Sequence, residues 1–181
     1  MTILDKLIQR LRIAMAMRYI VPGGSVLDVG CHQGELFSAL GNRLGSGLGV
    51  DPLLEREVSN ERFTLIRGNF PGDLNGAGSF DHICFLAVLE HVPMSLQQEI
   101  AARCRQLLND DGRVIITVPS PRADVLLNIL KKLRLIKGMS LEDHYGFDPS
   151  QIPAVYSRAG FTLLVHKKFH AGFNNVFVLK K

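Results

Sequence analysis

Along the first 20 residues, Ile3, Leu4, Leu7, Ile8, Leu11, Met15 and Tyr19 recur at helical spacing, while Asp5, Lys6, Gln9, Arg10 and Arg12 fall largely elsewhere. The pattern predicts an amphipathic helix with that apolar stripe laid on another surface. Pro22-Gly23-Gly24 then stops it. Beyond residue 24, short apolar runs alternate with longer mixed segments. Ser25–Gly30, Gly47–Asp51, Arg62–Arg67, Asp81–Ala87 and Val114–Val118 read as strands, and Asp81–Ala87 is apolar enough to be covered on both faces. Glu35–Leu44 reads as a helix, and the polar stretch after Asp51 has helix potential. Ser95, with Gln98 three positions on, predicts a capped helix whose inner face is Ile100, Cys104, Leu107 and Leu108. Asn109-Asp110-Asp111-Gly112 is a turn, and Asp124–Lys137 is a further helix. Asp148-Pro149-Ser150-Gln151 is a second capping signal, and Gly160 ends the helix that follows. Phe161–Phe169 and Asn175–Lys180 close the chain as two strands joined by a turn near Gly172.

Strands separated by helices predict a parallel sheet in a three-layer α/β domain. The last two strands have only a short turn between them and must be antiparallel, an ending unusual for a dinucleotide dehydrogenase domain. No repeat or flexible linker divides the 181 residues. The expectation is a single domain over 1–181, with residues 1–22 as a cover helix and 25–181 as the α/β core.

Composition narrows the class without naming a function. The chain is 46% hydrophobic and 21% charged, ordinary for a globular protein. No apolar run approaches the roughly 18 residues needed to span a bilayer, so no transmembrane segment is expected. Asp5, Lys6, Arg10 and Arg12 interrupt the apolar N-terminus, which argues against a secretory signal. Cys31, Cys84 and Cys104 have neither metal-ligand nor redox spacing and read as small apolar fillers of a cytoplasmic protein. A net charge of +4 falls short of a nucleic-acid signature. With no cluster of His, Asp and Glu in the sequence, no metal is expected.

Candidate chemistry gathers after the first strand. Val26-Leu27-Asp28-Val29-Gly30-Cys31-His32-Gln33-Gly34-Glu35 combines a strand, a glycine-bearing turn and a helix start. Such turns lie at the carboxyl edge of open α/β sheets, where ligands bind. Gly30 lets a ligand approach the backbone, and Gly34 permits tight packing where the helix begins. Asp28 lies inside the strand, where a carboxylate is costly to bury without a partner such as a ligand ammonium. Asp51 ends the second strand, where an acid can accept hydrogen bonds from a ribose diol.

Taken in order, VLDVGCHQGEL, GVDP, RGNF, FDHICFLAVLEHV and LLNDDGRVIITVPS resemble the successive motifs of class I S-adenosylmethionine-dependent methyltransferases. VLEHV is similar to a segment common in their small-molecule branch. The resemblance implies a Rossmann-like methyltransferase fold: a mostly parallel seven-stranded sheet with an antiparallel C-terminal strand. It implies S-adenosyl-L-methionine as cofactor and a small-molecule acceptor. By position it assigns Asp28 and Gly30 to the methionine end, with His32 and Gly34 in the same loop. Asp51 with Pro52 goes to the ribose, Asn69 and Phe70 to the adenine, and Leu86 and Ala87 to the wall near the sulfonium. The chain departs from the family at His32, where a glycine is usual, and at Asn69, where an acid is common.

Methyl transfer from a sulfonium needs a base only when the acceptor must lose a proton. His91, beside Glu90, and His144, beside Tyr145, are the candidate bases or acceptor contacts. His82, His166 and His170 read as surface or capping residues. Leu86-Ala87-Val88-Leu89 is unlike the signature for methylating exocyclic amino groups of bases, and Cys84 is badly placed as a nucleophile. Lys131, Lys132, Arg134 and Lys137 make the 124–137 helix basic as well as amphipathic. Its face would pack on the sheet, cover a hydrophobic substrate, or lie on a membrane or phosphate-rich partner. The competing readings are a non-catalytic module of the same fold, an RNA-directed methyltransferase and a nicotinamide-dependent oxidoreductase.

Overall fold

The computed structural model describes residues 3–74, 78–120 and 147–181. The predicted helix over 124–137, the loop leading to Phe147 and the candidate His144 lie outside them. The elements are α1 (Ile3–Ala16), β1 (Ser25–Val29), α2 (Glu35–Leu40), β2 (Ser46–Asp51), β3 (Val58–Ser59), β4 (Phe63–Arg67), β5 (Phe80–Leu86), α3 (Met94–Leu107), β6 (Leu108–Pro119), α4 (Ile152–Arg158), β7 (Thr162–Phe169) and β8 (Asn174–Lys180).

The strands form one 8-stranded sheet in the order β3-β4-β2-β1-β5-β6-β8-β7. Strands β4, β2, β1, β5 and β6 pair in parallel. β8 runs antiparallel to both β6 and β7, as the short turn between the last two strands requires. The sheet grows outward from β1 in one direction through β2 and from β5 in the other through β6. β1 and β5 therefore flank the topological switch point, where a crevice opens at the carboxyl edge. Both are buried along most of their length, as the unbroken apolar runs predict.

The two sheet faces carry separate cores. Leu27, Val29, Ile83, Phe85, Ile116 and Phe177 meet α3 and α4 on one side, through Ile100, Cys104, Ile152 and Tyr156. Val26, Cys84, Ile115, Val176 and Val178 meet α1 and α2 on the other, through Ile13, Ala16, Leu36 and Phe37. Period-two alternation along each strand produces this division. Each fully buried aliphatic or aromatic side chain contributes about 1.5–3 kcal/mol.

Besides the 109–112 segment, which was expected as a turn and instead lies within β6, four local expectations change. The polar stretch after Asp51 forms no helix; it carries the two-residue edge strand β3, which adds an eighth strand to the expected seven. Arg67 fixes that segment by donating from Nε to the Leu54 carbonyl at 2.7 Å, while its backbone N–H reaches Glu57 Oε1 at 3.0 Å. α2 ends at Leu40 because Gly41 adopts φ 52°, and a 3-10 turn, Gly41–Arg43, follows. Ser95 caps nothing: α3 begins at Met94 with Pro93 in the cap position, and no side chain caps it. Gln97 is buried instead and donates to the Val92 carbonyl at 3.2 Å.

The fourth change concerns α1. Its inward face is not the leucine stripe. Ile13 and Ala16 are buried, whereas Leu4, Leu7 and Leu11 are 43%, 53% and 39% exposed. The helix packs on the sheet face through Ile13 and Ala16, while its first half overhangs a crevice at the carboxyl edge instead of a closed apolar surface. Polar side chains then face inward at its middle, and Arg12 Nε donates to Asn174 Oδ1 of β8 at 2.8 Å.

Candidate active site at the carboxyl edge of the sheet

After β1 the chain enters a tight loop. Gly30 N–H donates to the Val50 carbonyl at 2.8 Å, and Gly34 N–H donates to the Cys31 carbonyl at 2.8 Å. Gly30 holds φ 75°, and a Cβ there would stand 2.4 Å from Val88 Cγ2, so the loops after β1 and β5 touch where only glycine fits. His32 takes φ 47°, a left-handed conformation that histidine tolerates better than branched residues. The imidazole does not enter the crevice. Half-exposed, it pairs through Nδ1 with Glu35 Oε1 at 2.8 Å.

Asp51 is nearly buried at the end of β2. Its Oδ2 accepts from His32 N–H and its Oδ1 from Leu53 N–H, each at 2.8 Å. Two backbone donors thus fix the carboxylate in place, with lone pairs left for a ligand. Asp28 is the opposite case. Only 3% exposed, it has an Oδ1 with no hydrogen-bond partner. Burial first, and then the charges of Glu35 and Asp51, push its carboxyl up to about 8. Burial also opposes ionisation of Glu35. There the hydrogen bonds from His32, from its own backbone N–H and from Gln33 win, and its carboxyl stays below the usual range.

A cavity of about 260 Å³ opens beneath α1, with Asp28, Gly30, Glu35, Leu86 and Ala87 on its floor and Asp5, Ile8, Gln9, Arg12 and Ile13 on its roof. Ala87, directly after β5, holds φ 63° while its N–H donates to the Thr117 carbonyl at 2.8 Å. Arg12 is the basic residue of this lining. Burial draws its charge down, and the facing Glu90 charge sustains it. Because Arg12 only donates, Asn174 must turn Oδ1 toward it and Nδ2 toward His170 Nδ1, 3.5 Å away.

Of the sequence-predicted residues, Asp28, Gly30, Leu86 and Ala87 meet in this cavity. Gly34 packs under the loop, where a Cβ would lie 3.2 Å from Leu65 Cδ1. Asp51 and the exposed Pro52 end β2, outside the cavity lining. Asn69, also exposed, donates its N–H to Asp73 Oδ2 at 2.7 Å. Phe70 is half-buried, and its ring meets Phe85 at 5.7 Å and 76°. His91 is exposed at the end of the 3-10 turn Leu89–His91 and does not line the cavity. Sequence reasoning missed Asp5, Gln9, Arg12 and Glu35. The signal was present: 5, 8, 9, 12, 13 and 16 also form a helical stripe, overshadowed by the leucines at 4, 7 and 11.

The model for a methyltransferase domain matches residues 3–176. The chain belongs to that family. A ubiquinone biosynthesis O-methyltransferase of Xanthomonas campestris pv. campestris is 31% identical over 113 residues, covering 57% of this chain and 46% of that protein. The chain thus spans about half the length of the curated relatives it matches. Among solved structures, Burkholderia thailandensis 1,6-didemethyltoxoflavin-N1-methyltransferase, with bound 1,6-didemethyltoxoflavin and S-adenosylhomocysteine, superposes with a TM-score of 0.71. It is 18% identical, and the match covers 98% of this chain and 79% of that one. The cyclopropane synthase MmaA2 of Mycobacterium tuberculosis follows at a TM-score of 0.67 and 16% identity, covering 94% and 83%. Likeness at this level of identity establishes a shared Rossmann-like methyltransferase fold.

Proposed function

We propose that the protein transfers a methyl group from S-adenosylmethionine to a small, largely apolar molecule in the cytoplasm. The observation that carries this reading is the unpartnered, buried Asp28 carboxyl inside a cavity at the switch point, one strand away from the tethered Asp51. A cofactor with an ammonium at one end and a ribose diol further along fits both acids.

S-adenosylmethionine supplies a methyl group already activated by the positive sulfur. The protein's part is to bind, orient and exclude water. Asp28 receives the ammonium and Arg12 faces the carboxylate of the same end. Gly30 allows close approach of the backbone, with His32 and Gly34 shaping the loop. Asp51, with Pro52 beside it, takes the ribose hydroxyls, and Asn69 and Phe70 border the adenine. Leu86 and Ala87, with Ile8 and Ile13 from α1, give the reacting centre an apolar wall. Holding two reactants in attack geometry supplies roughly 7–11 kcal/mol in favourable cases, so a fixed base is not obligatory. Where the acceptor must lose a proton, His91 and His144 are the candidates.

The apolar wall favours a hydrophobic acceptor, and the ubiquinone-pathway relative agrees with that reading by its name. Three buried free thiols suit a reducing compartment. Among the described residues no helix is long and apolar enough to cross a membrane.

Calorimetry with S-adenosylhomocysteine tests the proposal, with NADH as control. The expected dissociation constant is on the order of micromolar. Asp51→Ala weakens it roughly 100-fold, through the loss of charge-assisted hydrogen bonds. Absence of binding at millimolar ligand sinks the enzyme reading and favours a non-catalytic module of the same fold.

A further inference from the structure

α1 has two faces of different character. Inward, Asp5, Ile8, Gln9, Arg12 and Ile13 roof the cavity. Outward, Leu4, Leu7 and Leu11 form one stripe, exposed by 43%, 53% and 39%. Lys6 and Arg10, one helical turn apart and both exposed, run along its flank, and the exposed Arg18 follows the helix end. The helix's acid, Asp5, is turned inward. Its outer arc therefore carries cations and apolar side chains without an intervening carboxylate.

The sheet extends the same field. Lys167 of β7 pairs with Val176 of β8, whose side chain packs in the core beneath α1. Directly paired residues share a sheet face, so the exposed Lys167 projects to the side on which α1 lies. A groove of about 770 Å³ between α1 and α2 carries Lys6 and Arg10 among its lining.

We propose that this face docks on an anionic lipid surface, with α1 in the plane of the interface. The leucines enter the acyl boundary, and Lys6 and Arg10 meet the headgroups. Charge complementarity selects this occupant. A second copy in a two-fold contact would bury the same cationic arc from both chains together, with the helix's acid, Asp5, turned into the cavity and not there to offset it. Since α1 also roofs the cavity, docking brings the site to the phase in which an apolar acceptor dissolves. That consequence rests on the proposed function; the docking itself does not.

Co-sedimentation of the full chain with phosphatidylcholine vesicles, with and without phosphatidylglycerol, provides the test. The protein is expected to sediment with the anionic vesicles, weakly with phosphatidylcholine alone, and less as salt rises. Lys6→Gln/Arg10→Gln lowers the partition coefficient roughly 30-fold, about fivefold for each cation. Leu7→Ser/Leu11→Ser lowers it roughly tenfold or more through lost apolar burial. Both variants keep their circular dichroism melt and their affinity for S-adenosylhomocysteine, which separates docking from folding and from cofactor binding. Wild-type protein that stays in the supernatant overturns the proposal, as do leucine variants that sediment like wild type. A concentration-dependent dimer that the leucine substitutions abolish, without vesicle binding, also overturns it and assigns the stripe to a second copy.

Discussion

The loop after β1 and the inward face of α1 border the same cavity, yet the chain builds them in different ways. The loop is contiguous: Asp28, Gly30, His32 and Gly34 fall within seven residues, held by their own backbone hydrogen bonds and by Asp51. α1 brings Arg12 to the cavity from outside the sheet, and the side chain is fixed by Asn174, 162 positions away in sequence. A loop of this kind carries its chemistry in its letters. A cover helix carries it in its rotation, which depends on the surface beneath.

The sharpest way to break that comparison is to remove the guanidinium. Arg12→Met is expected to weaken S-adenosylhomocysteine binding roughly 30-fold. Methylthioadenosine, which lacks the amino-carboxylate tail, should bind within about twofold of its wild-type affinity. Equal losses for both ligands would make α1 a mere cover and return the recognition to the loop.

The second prediction sharpens the role of Asp28. With its carboxyl raised to about 8, the ligand-free site is mostly protonated at neutral pH. Binding a cation there should release close to one proton per ligand at pH 7, measured by calorimetry in buffers of different ionisation enthalpy. Asp28→Asn should release none. The same shift fixes the sign of the stability change. Between the ordinary carboxylate range and about pH 8 the unfolded chain binds fewer protons than the folded one, so ligand-free stability falls as pH rises through that window. A flat melting profile in wild type, unchanged by Asp28→Asn, would refute the assignment.

The smallest effect is expected at His32. The loop uses its N–H, which donates to Asp51, while the ring turns to Glu35. Glycine keeps that N–H and adopts a positive φ without strain, so His32→Gly should change S-adenosylhomocysteine affinity by less than about threefold and stability by less than about 1 kcal/mol. A tenfold loss would instead put the imidazole on the ligand.

These contrasts also mark how far the sequence could be read. The buried strands were legible because burial writes itself into consecutive positions, although β6 was read only over Val114–Val118, since Leu108 resembled a helix end and 109–112 a turn. Asp28, Gly30 and Asp51 were legible because a carboxylate inside a strand and a glycine after it are locally costly choices. β3 was not, since two residues carry no period. Nor was the length of α2, which Gly41 cuts short at a position compatible with continued helix.

The sequence by itself determined the layered α/β architecture, the antiparallel ending and the acids of the β1 and β2 ends, all of which depend on neighbours in the chain. Tertiary structure decided which stripe of α1 faces inward, that His32 turns toward Glu35, and that Asp28 is left without a partner. The first rests on Arg12 finding Asn174 across the sheet edge, and the last on how completely α1 and the switch point exclude water. Hydrophobic periodicity says that a helix has faces. Which face wins is an energy difference between surfaces, and those surfaces exist only once the sheet has formed.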